Sequence, residues 1–228
     1  KRIKIYKFSK NVVAEENFNR CIKLSNGKYT AIYHSDDIYH KEIVYKQVCF
    51  LEKNKKAGVV FSEGELIDEN DKLISSAYSP LKSYSDNFNY TYVEVLNEVT
   101  KNFNFLLCPT AMVRTKIYKN EVKRFRYNKF GHSADLDAWL RIAKKNTIGI
   151  IKQKLIYYRI SSSQQTAVTR RDNKLPDFFK VMDFYLKNKK NVNKDIIVKD
   201  YLTLKTYFYL FLFISSIKSR KKKMKKNY

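Results

Sequence analysis

The chain has 228 residues, with 46 Lys and Arg against 22 Asp and Glu, so its formal net charge is +24. Apolar residues make up 44 % and aromatics 15 %, enough for a sizeable core and too much for a disordered basic chain. Five Gly and three Pro exclude collagen-like and Pro/Gly low-complexity classes, and the widely spaced Cys21, Cys49 and Cys108 give no disulfide framework, which points to a reducing compartment.

Taken in chain order, Arg2–Phe8 alternates apolar Ile3 and Ile5 with Lys and predicts a strand. Val13–Leu24 has Ala14, Phe18 and Cys21/Ile22 at helical spacing, with Glu15 and Glu16 in the first turn where the helix dipole favours them. Tyr29–Tyr33 predicts a short buried strand, stopped by His34-Ser35-Asp36-Asp37. Lys41–Asn54 predicts a helix, Val59–Ser62 a buried strand, and Asp68-Glu69-Asn70-Asp71 a polar turn. Ser75–Asn104 is rich in Ser, Tyr and Asn and has no strong period, apart from a helix near Tyr92–Val99. Beyond it come a strand at Ala111–Arg114, a helical turn at Lys116–Asn120 and a helix at Asp135–Lys145. Two strand-like runs, Thr147–Ile151 and Lys154–Ile160, lead into a Ser/Gln loop at Ser161–Thr166. After Pro176 the pattern is helical, over Phe178–Lys189 and Lys194–Ser216. Strands alternating with helices at the start predict βαβ units and an α/β sheet.

The charge invites a nucleic-acid reading, because phosphate neutralisation dominates non-specific affinity. Seven of the positive charges, however, fall in the last eleven residues, at Lys218, Arg220, Lys221, Lys222, Lys223, Lys225 and Lys226. No nucleic-acid-binding signature accompanies the rest, so nucleic acid is not the expected partner.

Two carboxylate groups carry the chemistry. Asp36-Asp37 directly follows a buried strand, where open α/β folds bind ligands. Adjacent carboxylates there either hold a hard divalent cation or cap a turn. Asp135-x-Asp137-x-Trp139-x-Arg141 opens a helix, and Asp135 is either a cap or a general base fixed by that helix. Arg141 is either a surface ion pair or the partner that keeps a carboxylate ionised.

In order and spacing these pieces resemble the family 2 glycosyltransferases of GT-A fold. The resemblance runs through Asn11, Asn19, Ile22 and Gly27-Lys28-Tyr29 to Thr30-Ala31-Ile32-Tyr33-His34-Ser35-Asp36-Asp37, which is similar to the family's DxD-like element. It continues through Pro109–Arg114, Ala134–Arg141 and Tyr157-Tyr158-Arg159, covering about Ile3 to Ser163. It implies a GT-A, Rossmann-like mixed sheet flanked by helices over residues 1–170, with a helical extension and basic tail over 171–228. It implies sugar transfer from a nucleotide-sugar donor to a glycan or lipid-linked acceptor hydroxyl, of hexosyltransferase type, inverting and dependent on Mn²⁺ or Mg²⁺, in surface polysaccharide or glycoconjugate synthesis. Asp36, Asp37 and His34 would hold the metal, Asp36, Asp37 and Arg141 would contact the donor, and Asp135 would be the base. His34 and Ala134 stand where the family has acidic residues, and Ser161 where some members have His. The strand–helix–strand that binds the nucleotide base in the family is expected before Lys1, so feeble nucleotide-sugar binding is expected of this chain. A non-catalytic module that keeps the scaffold for binding or assembly at a membrane is the alternative.

Tyr201–Ile217 is apolar except for Lys205 and a few hydroxyls, and the basic run follows at once. It is shorter than the ~20 residues a spanning helix needs. The segment is therefore expected to be either an interfacial helix docked on an anionic membrane, at the cytoplasmic face, or a core or oligomer helix with a solvated tail.

Overall fold

A computed structural model describes residues 3–77, 87–161, 175–187 and 194–224. The Ser/Gln loop beyond Ser161, the middle of the Ser75–Asn104 stretch and the basic side chains after Ile217 lie outside the described residues.

One mixed sheet of seven strands organises the chain. Its strands are β1 (Tyr29–Ala31), β2 (Ile38–Tyr39), β3 (Ala57–Ile67), β4 (Leu73–Ala77), β5 (Asn87–Tyr90), β6 (Met112–Arg114) and β7 (Thr147–Arg159). The order is β1-β6-β3-β7-β2, with β4 also on β3 and β5 also on β7. The two long strands, β3 and β7, are parallel neighbours at the centre, and the other pairings are antiparallel.

Helices cover both faces. They are α1 (Ala14–Leu24), α2 (Ile43–Lys53), α3 (Tyr92–Asn102), α4 (Thr115–Ile117), α5 (Tyr127–Phe130), α6 (Ala134–Ala143), α7 (Asp177–Lys187) and α8 (Lys194–Met224). On one face α2 buries Ile43, Phe50 and Leu51 against Val60, Met112 and Leu155. Phe50 lies against Gly149, where a Cβ would stand 2.1 Å from its ring, so β7 needs a glycine there for the helix to approach. On the other face a larger core joins Ile22 of α1, Val95 and Val99 of α3, Trp139 and Leu140 of α6, and Phe179 and Met182 of α7. At the centre of that core, α6 buries eight of its ten residues, the ion-paired Asp137 among them.

Several expectations are corrected. Residues 3–8 form no strand, and Ile3 and Ile5 are 79 % and 80 % exposed. Alternation makes a strand only where a ladder partner exists, and no described strand pairs with this segment. The two runs at 147–151 and 154–160 are one strand, because β3 advances a single residue from Ser62 to Glu63 while its partner on β7 moves from Ile151 to Lys154. The extra residues form a bulge that splits the apolar run. Val59–Ser62 is only the core of β3, which continues through Glu63 and Glu65 because β4 and β7 pair its distal half. β4 and β5 were not expected, and α3 is held at its start by a Thr91/Glu94 capping box.

Candidate active site

The loop between β1 and β2 brings His34, Asp36 and Asp37 together, with a ligand atom from each within 4.8 Å of the others. Aromatic packing fixes the loop: Tyr33 lies 4.4 Å from Tyr39, and His34 stacks on Phe18 of α1 at 5.3 Å. The His34 N–H donates to the Tyr39 hydroxyl at 2.8 Å. From the end of β7, the Arg159 N–H donates to Asp37 Oδ1 and its Nε–H to the Asp36 carbonyl, both at 2.9 Å. The same guanidinium donates to the Asp68 carbonyl at 2.9 Å and pairs with Asp71 at 2.5 Å. Arg159 thus ties the Asp36-Asp37 loop to the β3–β4 turn.

This donor set suits a divalent cation. Asp37 Oδ2 and His34 Nε2 are buried without a hydrogen-bond partner, a costly state for polar atoms unless something else satisfies them. Burial pushes the Asp37 carboxyl up to about 6, against the opposing Arg159 N–H, and the Asp36 charge adds to the rise. Burial lowers His34, so its imidazole is neutral near pH 7, the form that ligates metal.

Asp135 stands in the first turn of α6, half-buried. Its Oδ1 accepts from the Leu136 N–H at 2.7 Å and its Oδ2 from Asn104 Nδ2 at 3.0 Å. Burial raises it to about 6 despite these donors, with a contribution from Glu15. The Tyr158 phenol is pushed up to about 12, chiefly by burial, with the charges of Asp37, Asp36 and Asp135 adding to the rise. It therefore stays protonated at neutral pH.

The other α6 residues lie elsewhere. Asp137 is fully buried and accepts from Arg126 Nε at 2.9 Å and from the Tyr185 hydroxyl at 2.9 Å, with a second Arg126 contact to Oδ1. Arg141 pairs with Asp137 at 2.9 Å and donates to the carbonyls of Val122 and Arg124. Its guanidinium is spent on that network and is brought to neither Asp36 nor Asp37. The reason is helical spacing: Asp137 and Arg141 are i and i+4 on one face, and Asp135 is not on it. Trp139 is a core residue, edge-on to Phe61 at 5.1 Å and to Phe125 at 5.9 Å. Arg159, Tyr158 and Asn104 were given no role from the sequence. The Tyr157-Tyr158-Arg159 run was the available signal for the first two, while Asn104 sits in a stretch without periodicity.

Comparison with known proteins adds to this geometry. The model of the family described as glycosyl transferase family 2 matches residues 1–122. The uncharacterized glycosyltransferase MJ1057 of Methanocaldococcus jannaschii is 27 % identical over 217 residues, covering 94 % of this chain and 70 % of that protein. The uncharacterized glycosyltransferase RC0461 of Rickettsia conorii is 33 % identical over 172 residues, 73 % of this chain and 25 % of that protein. The crystal structure of S. aureus TarS 1–349 shares the fold, with a TM-score of 0.56 at 17 % identity over 85 % of this chain. Its complex with UDP-GlcNAc gives a TM-score of 0.57 at 16 % identity over 83 % of this chain. The chain spans about half of these TarS structures, 51 % and 52 %.

Proposed function

The chain belongs to glycosyl transferase family 2, and from that premise we propose that it moves a sugar from a nucleotide-sugar donor to an acceptor hydroxyl with inversion at the anomeric carbon. The observation carrying this reading is the cation-type cluster of His34, Asp36 and Asp37, with Asp135, a carboxylate that burial makes proton-avid, as its counterpart. His34, Asp36 and Asp37 would hold the cation, and an imidazole in the set favours Mn²⁺ over Mg²⁺. A cation bound there supplies positive charge where the leaving diphosphate develops negative charge.

Asp135 takes the proton of the acceptor hydroxyl. The freed oxygen pair forms the new bond to the anomeric carbon, and the bond to the diphosphate breaks with its electron pair leaving on the nucleoside diphosphate. Asn104 and the Leu136 N–H hold the Asp135 oxygens during proton uptake. Arg159 keeps the Asp36-Asp37 loop in place. Arg141 is not part of this donor site, since its contacts lie with Asp137 and backbone carbonyls.

TarS has been crystallised with UDP and with UDP-GlcNAc, which makes a uridine diphosphate sugar the first donor to test. The acceptor we propose is a lipid-linked or other glycan of a surface polysaccharide or glycoconjugate. Residues 1–170 would be the catalytic unit and 171–228 a helical extension docking at the cytoplasmic face of an anionic membrane. No helix among the described residues is long and apolar enough to cross a membrane. Supporting surface docking, α8 packs Ile197 and Tyr201 inward but leaves Phe211 and Phe213 62 % and 63 % exposed, just before the basic run.

Calorimetric titration of UDP-GlcNAc with Mn²⁺ tests the donor site. Asp37→Asn is expected to weaken Mn²⁺-dependent binding by about 10-fold or more. Equal binding by the wild type, Asp36→Asn and Asp37→Asn would overturn the assignment.

A further inference from the structure

Phe103 directly follows α3 with a φ of +58° and a ψ of −162°. Glycine adopts that combination readily, whereas a residue with a Cβ holds it only under strain. Such strain persists where the surroundings over-determine it. Here the surroundings are aromatic rings. The Phe103 ring centre lies 5.0 Å from that of Phe178 and 6.2 Å from that of Phe179, both on α7. It lies 6.2 Å from Phe208 of α8, and Phe208 meets Phe179 edge-on at 5.5 Å, which closes the cage. Beyond the next residue, Phe105 and Leu106 are buried. Apolar anchors on both sides thus pin one polar residue between them, Asn104.

The Asn104 side chain is fully determined by its partners. Its Oδ1 accepts from the Leu106 N–H at 3.2 Å, and a backbone N–H can only donate. The NH₂ is therefore the end turned to Asp135, with Nδ2 3.0 Å from Oδ2. The helices that build the cage also hold α6. Asp177 of α7 accepts from the His132 N–H at 3.0 Å just ahead of α6, and the Tyr185 hydroxyl donates to Asp137 Oδ1 at 2.9 Å. Asp183 fixes α8 to α7, accepting from the Tyr201 hydroxyl at 2.6 Å and from Lys205 Nζ at 2.8 Å. Asn104 and Asp135 are both set against one frame, α7.

We propose that Phe103 is a positioning residue, whose ring, clamped by Phe178 and Phe179 of α7 and Phe208 of α8, holds the strained turn that delivers Asn104 to Asp135. The inference rests on the reading of Asp135 as the base. It makes α7 and α8 part of the acceptor-activating machinery, because they reach the base through Asn104. Without the Phe208 ring, Phe103 relaxes toward negative φ, and the Asn104 NH₂ turns from Asp135 to water.

Proton exchange of the Asn104 side-chain NH₂ reads the clamp without substrate, by heteronuclear NMR of the full chain, with the signal assigned by its absence in Asn104→Ala. Phe208→Ala is expected to speed the exchange by about 3-fold or more, the Boltzmann factor for a lost aromatic contact. Phe208→Leu, which keeps apolar bulk without a ring, is expected to shift it in the same direction by less. Phe208→Tyr restores the ring and is expected to stay within about twofold of the wild type. Tyr207→Ala, its neighbour on α8 and 68 % exposed, is expected to leave the rate unchanged. In sugar transfer, Phe208→Ala is expected to lower kcat with the donor KM unchanged, since Asn104 donates to Asp135 and the His34-Asp36-Asp37 cluster lies on another loop. Wild-type exchange in both Phe208→Ala and Phe208→Leu would overturn the clamp, as would an equal rise in Tyr207→Ala. Failure of the base reading shows separately, as wild-type sugar transfer by Asp135→Asn with the order of exchange rates intact.

Discussion

Asp135→Asn should make the protein more stable at pH 8 and less stable at pH 4. Burial raises the folded-state carboxyl from 3.8 to about 6, so the fold favours its protonated form. The wild type's stability from this group is therefore fullest below the unfolded value and is lost as pH rises through about 6. A rise of that size corresponds to ~3 kcal/mol at pH 8. The amide escapes this penalty but cannot keep both hydrogen bonds. Turned to accept from Asn104, it presents an NH₂ to the Leu136 N–H and forfeits ~1 kcal/mol. The expected outcome is a gain of ~2 kcal/mol at pH 8 and a loss of ~1 kcal/mol at pH 4, read from urea denaturation at the two pH values. A change of the same sign and size at both would refute burial as the cause.

Arg159→Ala should cost about 2–3 kcal/mol, chiefly from its bonds to the Asp36 and Asp68 carbonyls, since the Asp71 partner is exposed. Mn²⁺ affinity should fall about 10-fold with it, and Arg159→Lys should recover less than half, because an ammonium cannot span three partners. Urea denaturation and Mn²⁺ titration read the two effects. Asp137→Ala strands two partly buried guanidiniums and should cost about 3–5 kcal/mol, lowering Tm by roughly 6–10 °C for 228 residues. Replacing Phe211 and Phe213 by Ser should release the chain from anionic vesicles in a flotation assay, and equal flotation would remove α8 as the docking element.

How much of this was legible in the sequence depends on how far apart the interacting residues lie. Asp36-Asp37 stood out because an apolar strand stops directly in front of them, and α6 because its acids precede a dense apolar pattern. The two carboxylates of α6 were not told apart, since Arg141 was expected at the donor, whereas it is the i+4 ion-pair partner of the buried Asp137. The Arg159 clamp was not legible, since it joins residues 122 positions apart through a strand end. β4 and β5 were missed for a related reason: short polar strands exist only by pairing with β3 and β7. The bulge in β7 hid its continuity, and residues 3–8 show the converse, an alternating pattern with nothing to pair against.

The most direct test of the central claim is the release of UDP from UDP-GlcNAc in the presence of Mn²⁺ and glycan acceptors, compared between the wild type and Asp135→Asn. The amide variant is expected to remain folded at pH 8, so lost turnover there reports on chemistry. A fall of about 10²–10⁴-fold is the expected result for loss of a general base. Turnover within about twofold of the wild type would contradict it.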